Sequence, residues 1–266
     1  MCLILLAHDA HPRYGLVVAA NRDEFYARPT APAAWWPDAP EVLAGRDLRG
    51  GGTWLGVTRG GRFAAVTNFR DAAPPAPDAP SRGHLVGGFL RRADAPGAYL
   101  DALAARAAEY AGFNLLVGEG GELRYLGNRS GAARVLEPGV YGLSNALLDT
   151  PWPKVARGKA GLAAALDGGG DVDPESLFRV LWDAEPAPDA HLPDTGVGLE
   201  RERMLSSPFI RTPDYGTRAS TVLLVGRDGR VRFVERTVAP GVDGWTEAAY
   251  EFRIEGGAGP ASAAAR

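Results

Sequence analysis

Four segments of the chain are apolar on both faces instead of alternating between apolar and polar positions. They are residues 2–8, 15–21, 113–118 and 220–226. A strand with one face in water alternates, so we predict that these strands lie in sheets covered on both sides. Five further strands are predicted at residues 53–58, 62–68, 122–127, 139–144 and 231–238. Glycine turns join several of these strands as hairpins, which predicts antiparallel sheets.

Helical periodicity fills stretches between these groups of strands. We predict helices at residues 83–92, 96–111, 153–166 and 174–184, and long loops at residues 71–80 and 184–199. Doubly buried antiparallel strands with helices between them indicate an α+β fold of two stacked antiparallel sheets with outer helices. Because strand patterns resume on both sides of each loop, we expect one domain over residues 1–255. The small and polar residues 256–266 indicate a disordered tail.

Charge and composition exclude several classes of protein. The 29 basic and 32 acidic side chains give a net charge of −3, which argues against a nucleic-acid partner. No apolar run approaches the roughly 20 residues that a bilayer requires, so we expect no membrane span and a cytoplasmic location. Only two of the basic side chains are lysines. Together with alanine-rich helices, this bias suggests a bacterial source.

The single cysteine, Cys2, follows the initiator methionine. A chain with one cysteine forms no internal disulfide and no site that needs two thiolates. Removal of Met1 would give Cys2 a free α-amine with a pKa of about 7.7–8.0, which can accept a proton from the thiol. Taken alone, a cysteine here is more often a small apolar residue that opens a strand.

The first hairpin places a charged cluster near this thiol. If residues 9–14 form the connection, Cys2 lies opposite Asn21, and Arg22, Asp23 and Glu24 follow at the same end of the sheet. A nearby arginine lowers the pKa of a thiol and attracts an anionic group. The aspartate can orient the arginine or bind an α-ammonium. The alternative is a solvated charge cluster at the end of a strand.

Other polar side chains are expected at the same end of the fold. A hairpin centred near residue 60 places residues 53–54 opposite residues 67–68, which brings Trp54 and Asn68 together. Three glycines just before Trp54 allow a ligand to approach the backbone closely. Asn145 ends a strand with a side-chain amide, a candidate oxyanion donor. The simpler interpretation of Asn145 is an asparagine in a turn.

Neither metal nor cofactor chemistry is indicated. The four histidines lack the spacing of a metal site, so we predict no metal and no cofactor. Four tryptophans could instead wall a flat apolar pocket, although core packing explains aromatic residues more often. They are Trp35, Trp36, Trp54 and Trp152.

Several longer motifs cover nearly the whole chain. They are Asn21-Arg22-Asp23-Glu24, Gly51-Gly52-Thr53-Trp54-Leu55-Gly56, Val66-Thr67-Asn68-Phe69-Arg70, Tyr141-Gly142-Leu143-Ser144-Asn145, Leu148-Asp149-Thr150-Pro151-Trp152-Pro153-Lys154 and Tyr215-Gly216-Thr217-Arg218-Ala219-Ser220. On these motifs the chain resembles the NRDE family, named for the first of them, whose eukaryotic members are transport and Golgi organisation proteins. That family is similar to the N-terminal nucleophile hydrolases, which have a four-layer αββα fold.

The resemblance implies roles for named residues. Catalytic roles fall to Cys2, Arg22, Asp23 and Asn145, and substrate-binding roles to Asn21, Glu24, Trp54, Asn68 and Arg218. A later arginine of the related acylases corresponds to Arg218 or Arg203, and the spacing does not decide between them.

One departure from the acylases concerns the adjacent pair Arg22 and Asp23, since the acylases separate these residues by two. Adjacent strand residues point to opposite faces. Either the chain leaves strand geometry here, or only one of the two faces the thiol. Glu24, on the side of Arg22, could replace the aspartate.

Three functions remain open at this level. The first is a cysteine amidohydrolase that cleaves a linear amide of a small molecule with Cys2. The second is a non-catalytic binding or trafficking protein for haem or acyl lipids on the same fold. The third is a related fold that has lost its chemistry. All three are compatible with a small-molecule ligand.

Overall fold

The computed structural model describes residues 2–71, 76, 78–239 and 244–255, which form thirteen strands and five α-helices. The strands are β1 Cys2–His8, β2 Tyr14–Phe25, β3 Thr30–Trp36, β4 Ala39–Asp47, β5 Leu55–Thr58, β6 Phe63–Asn68, β7 Phe113–Glu119, β8 Glu122–Gly127, β9 Arg134–Val135, β10 Gly139–Leu143, β11 Tyr215–Gly226, β12 Arg230–Val238 and β13 Trp245–Arg253. The helices are α1 Gly83–Leu90, α2 Pro96–Ala104, α3 Pro153–Leu166, α4 Pro174–Leu181 and α5 Leu199–Met204.

The strands form two antiparallel sheets. Sheet A has six strands in the order β10-β1-β2-β11-β12-β13, and sheet B has seven in the order β3-β4-β5-β6-β7-β8-β9. The predicted hairpins β5–β6, β7–β8 and β11–β12 are all present. The α+β class and the two antiparallel sheets predicted from the sequence are therefore confirmed.

Three apolar clusters arrange these elements in four layers. Leu6 of sheet A and Leu116 of sheet B belong to the cluster between the sheets. The outer face of sheet B packs against α1 and α2 through residues such as Phe89. The outer face of sheet A packs against α3 and α4 through Leu162 and Leu177. The central strands are covered on both sides, which explains why they do not alternate in sequence.

Several elements differ from the sequence prediction. β2 extends to Phe25 instead of ending at residue 21, because Arg22 pairs with both β1 and β11 and residues 23–25 pair with β11. The helix predicted at residues 96–111 ends at Ala104 and is followed by a short 3₁₀ turn, Ala107–Glu109. β3, β4 and β13 were not predicted. β3 and β13 are edge strands, where proline and exposed polar residues are tolerated.

The predicted tail, residues 256–266, and part of the predicted loop at residues 71–80 lie outside the described residues. Most of the loop predicted at residues 184–199 lacks helix and strand, apart from the 3₁₀ turn Asp189–His191 and the first residue of α5. Within the described ranges, every helix is too short or too polar to cross a bilayer.

Candidate active site

Cys2 and Arg22 lie directly opposite each other at one end of sheet A. Opposed residues of antiparallel strands share a face, and Ile4, two positions after Cys2, packs between the sheets. The thiol and the guanidinium therefore start on the face toward sheet B. The predicted register, with Cys2 opposite Asn21, was wrong by one residue. His8, the last residue of β1, pairs with Leu16, so seven residues separate the innermost pair instead of the predicted six, and this one-residue shift places Arg22 opposite Cys2.

The surroundings of Cys2 act on its thiol in opposite directions. Burial raises the pKa of the Cys2 thiol, and the Asp23 carboxylate raises it further. A hydrogen bond from the Asp23 backbone and the charge of Arg22 lower it. Cys2 as a whole residue nevertheless remains partly exposed.

Arg22 and Asp23 point to opposite faces, because β2 keeps strand geometry through both residues. Asp23 is buried at 2% exposure, and its carboxylate accepts a hydrogen bond of 2.7 Å from the Thr217 hydroxyl. Burial raises the pKa of Asp23. Of the two arrangements left open by the sequence, the structure has the one in which a single member of the pair shares the face of Cys2. Glu24 lies two positions from Arg22, at 3.9 Å from its guanidinium.

Arg22 is fixed from two sides. Its Nη1 donates to the Thr30 hydroxyl at 3.0 Å, and its guanidinium lies 4.3 Å from the centre of the Trp54 ring. Gly45 leaves room for that ring, since a Cβ there would lie 2.3 Å from it. Trp54 thus joins the Cys2–Arg22 end of the fold. The predicted pairing of residues 53–54 with residues 67–68 is not observed, because β5 starts at Leu55, which pairs with Ala65.

Asn145 is connected to Cys2 through one hydroxyl group. Ser144 Oγ donates to the Cys2 carbonyl at 3.0 Å and also lies 3.2 Å from Asn145 Oδ1. Asn145 Nδ2 donates to the Asn68 carbonyl at 2.8 Å. The structure therefore brings Asn68 and Asn145 to the backbone of the cysteine.

A buried polar chain holds this segment in place. The Thr67 hydroxyl donates to the Ser144 carbonyl at 2.6 Å, and Asn114 donates to Thr67 and to the Ala146 carbonyl. The Tyr125 hydroxyl donates to Asn114 Oδ1 at 2.6 Å. Satisfied buried networks of this kind rigidify a segment, and this one fixes the turn after β10.

Two predicted substrate-binding residues, Asn21 and Arg218, make hydrogen bonds to backbone carbonyls. Asn21 is 1% exposed, and its Nδ2 donates to the carbonyls of Leu181 and Pro208 on the outer side of sheet A. Arg218 occupies an irregularity in β11, and its Nη1 lies 3.1 Å from the backbone carbonyls of Phe25, Tyr26 and Arg28, at and just after the end of β2. Arg203 is an exposed residue of α5 in an ion pair with Asp189.

The four tryptophans do not wall one pocket, so that prediction was wrong. Trp35 and Trp54 pack against the cluster between the sheets, Trp36 belongs to the cluster under α1, and Trp152 packs against the cluster under α3. Consecutive residues of β3 point to opposite faces, which separates Trp35 from Trp36.

Two cationic residues near the thiol were missed from the sequence. Arg82 precedes α1 and donates to the Gly112 carbonyl at 3.0 Å. Burial lowers its pKa, and the charge of Cys2 opposes that shift. Lys154, in the first turn of α3, is 1% exposed. A lone arginine in a loop and a lysine near a helix start are ordinary surface residues in a sequence, so only the tertiary fold identifies them.

The described residues contain no group of three or more His, Cys, Asp or Glu side chains placed to hold a metal ion. His8 ends the strand that Cys2 begins. At about 3.3 Å per residue, the two side chains are too far apart to bind one ion.

Comparison with known proteins gives close and distant relatives. The family model for Transport and Golgi organisation 2 matches residues 1–240. The chain is 39% identical to the Bos taurus and 37% identical to the Homo sapiens Transport and Golgi organization protein 2 homolog, in each case over 96% of this chain and 100% of the relative. The Drosophila melanogaster protein is 31% identical over 90% of this chain and 92% of its own length.

Two solved structures are similar at low sequence identity. The Caenorhabditis elegans N-acylethanolamine-hydrolyzing acid amidase ortholog has a TM-score of 0.48 at 11% identity, covering 84% of this chain and 92% of that one. The C2A mutant of conjugated bile acid hydrolase from Clostridium perfringens has a TM-score of 0.43 at 12% identity, covering 96% and 98%.

The bacterial origin expected from composition is contradicted, because these full-length sequence relatives are animal proteins. Arginine and alanine bias reports codon and base usage and does not distinguish kingdoms. From the family match and from relatives aligned over nearly their whole length, the chain belongs to the Transport and Golgi organisation 2 family.

Proposed function

We propose that this protein is a cysteine amidohydrolase that cleaves a linear amide of a small molecule, with Cys2 as nucleophile after removal of Met1. The observation that carries the proposal is the pairing of Cys2 with Arg22, which places the only thiol of the chain opposite a buried cation. A thiol becomes nucleophilic as its thiolate, and this neighbour favours that form.

The chemistry needs one proton carrier. The neutral α-amine of the mature Cys2 takes the thiol proton, and the sulfur attacks the amide carbon to form a C–S bond. The C–N bond then breaks, and the leaving nitrogen takes the proton back from the ammonium. Water, deprotonated by the same amine, hydrolyses the thioester and releases a carboxylic acid and the free thiol.

Asn145 is the candidate oxyanion donor. An amide nitrogen carries two hydrogens, and one of those on Asn145 is used by the Asn68 carbonyl. The second remains for a developing oxyanion. The Ser144 hydroxyl donates to the Cys2 carbonyl and lies beside Asn145 Oδ1, so it ties the segment that carries this amide to the backbone of the nucleophile.

Asp23 stabilises the charged form of the Cys2 α-amine. Its negative charge raises the pKa of the Cys2 thiol, which opposes nucleophile formation, but the same charge stabilises the ammonium that forms during attack. Arg22 and Asp23 on the two faces of β2 therefore act on the two charges of the reacting pair.

A panel of N-acyl aminocoumarin amides of increasing acyl length tests this function. We expect the wild-type protein to release the fluorescent amine and Cys2→Ala to release none. Hydroxylamine should trap an acyl group from the wild-type thioester. A protein that binds the amides, seen as a rise in its Tm, but cleaves none of them would instead be a binding protein, and turnover that survives Cys2→Ala would remove Cys2 from the mechanism.

A further inference from the structure

The first turn of α3 carries an amine that is buried and has no hydrogen-bond partner among the described residues. Lys154 is 1% exposed, and its Nζ makes no hydrogen bond. The other lysine of the chain behaves differently, since Lys159 is 31% exposed and its Nζ lies 2.7 Å from Asp149. Burial of an uncompensated ammonium is unfavourable. The charges near Lys154 therefore determine whether its amine is protonated.

Four charged or titratable groups act on Lys154. Burial lowers its pKa to about 8, while Asp23, Cys2 and Glu202 raise it and Arg70 lowers it. Glu202 is itself committed to Arg70, at 2.5 Å in a buried ion pair. Asp23 remains as the carboxylate whose charge most opposes the burial of the amine.

The fold places Lys154 and Asp23 on the same side of sheet A. Asp23 points to the outer face, on which α3 packs through Val155, the residue after Lys154. Tyr215 of β11 also faces this carboxylate, but burial raises the pKa of Tyr215 well above its usual range, so it stays neutral. The N-terminal amine, Lys154 and Arg22 are then the positive groups that lower the pKa of Asp23.

The space beside Lys154 is too small for a substrate. The cavity that it lines with Arg70, Trp152 and Glu202 has a volume of about 10 Å³, which is close to the size of one water molecule. Lys154 therefore acts through its neighbours and not by contact with a substrate.

We propose that Lys154 is a positioning residue for Cys2: its ammonium keeps the buried Asp23 carboxylate ionised and so able to hold the ammonium that forms on the mature Cys2. The role of Asp23 in holding the Cys2 ammonium rests on the proposed function. The electrostatic effect of Asp23 on Lys154 does not, and it can be measured without a substrate.

The pairing is tested by NMR on protein that contains ¹³C-labelled lysine, because the chain has only two lysines. Lys159→Met assigns the two signals. We expect the Lys154 signal to titrate near pH 8, and Asp23→Asn to lower that midpoint by about one unit as the negative partner is lost. Asp149→Asn, next to Lys159, is the matched control and should leave the Lys154 midpoint unchanged. A midpoint near the ordinary value of about 10.4, or no response to Asp23→Asn, overturns the proposal.

The consequence for activity is read from the acid limb of the pH–rate profile. The acid limb reports the α-amine of Cys2, which must be neutral to take the thiol proton. In Lys154→Met the Asp23 carboxylate takes up a proton and no longer stabilises the ammonium, so the pKa of the amine falls and the acid limb should move to lower pH, whereas Lys154→Arg keeps the charge and the wild-type position. A uniform loss of rate in Lys154→Met, with an unmoved acid limb, would indicate a structural role only and overturn the proposal. If no amide is cleaved even by the wild type, the proposed function fails while the NMR titration still decides the pairing.

Discussion

Cys2 and Arg22 are opposed residues of the hairpin β1–β2, and Arg22 is held there by Thr30 and by the face of Trp54. A longer ion pair joins Arg22 to Glu24 at 3.9 Å. The charge of Arg22 also lowers the pKa of the Cys2 thiol.

Replacement of Arg22 by methionine should slow the alkylation of Cys2. The Arg22 charge lowers the pKa of the thiol, so its removal raises that pKa and makes the thiolate rarer at neutral pH. We expect iodoacetamide to react more slowly with the variant than with the wild type at pH 7. Arg46→Met, which removes a guanidinium stacked on Trp36, is the control. Equal rates in the two variants would mean that Arg22 does not activate the thiol.

The positions of the central strands followed from sequence because doubly apolar strands and glycine turns are local signals. The exact ends of β2, β5 and β11 did not follow. The register of the first hairpin did not follow, because it depends on whether six or seven residues separate the innermost pair of the two strands, and Asp9 adopts a positive φ of 51° in that connection. This one-residue difference in the connection places Arg22, and not Asn21, opposite Cys2. Lys154 was not singled out because its burial depends on how α3 packs on sheet A.

Asn21→Ala should destabilise the fold without changing the reactivity of Cys2. The Asn21 side chain bridges α4 and the segment at Pro208, and it accepts a hydrogen bond from Ser220. Loss of these bonds leaves buried groups unsatisfied, at about 3 kcal/mol in total. Urea unfolding measures the loss, and iodoacetamide kinetics should match those of the wild type. A stable variant with impaired amide binding would restore Asn21 as a substrate-binding residue.

Asn145→Ala should lower kcat with little change in KM. Removal of one oxyanion donor typically costs about 10²- to 10³-fold in kcat. Turnover of the best amide of the panel measures the effect, with Tm as the check on folding. Ser144→Ala, which removes the hydroxyl group beside Cys2 but keeps the Asn145 amide, should lower kcat less. If Asn145→Ala raised KM alone, the residue would bind the ground state and not the oxyanion.

Glu235→Gln should change the dependence of stability on pH. Glu235 lies buried between the sheets, where it accepts a hydrogen bond from the Ala33 backbone, and burial raises its pKa to about 7. In the unfolded chain the value is about 4.3. Between these pH values the folded protein holds the extra proton, so its stability falls as pH rises from about 4.3 to 7 and is constant above.

The glutamine variant lacks this loss. From pH 4 to pH 8 it should gain roughly 3 kcal/mol in free energy of unfolding relative to the wild type. Urea unfolding of both proteins across this range measures the difference. Parallel pH curves would show that Glu235 ionises in the folded state as it does in water.

Intact-mass spectrometry of the native protein, before and after reaction with an amide of the panel, addresses the role of Cys2 most directly. We expect a chain that lacks Met1 and, after reaction, carries one acyl group on the N-terminal Cys2 peptide. A native chain that retains Met1, with its α-amine on the wrong residue and no acyl group on Cys2, would contradict the proposed mechanism.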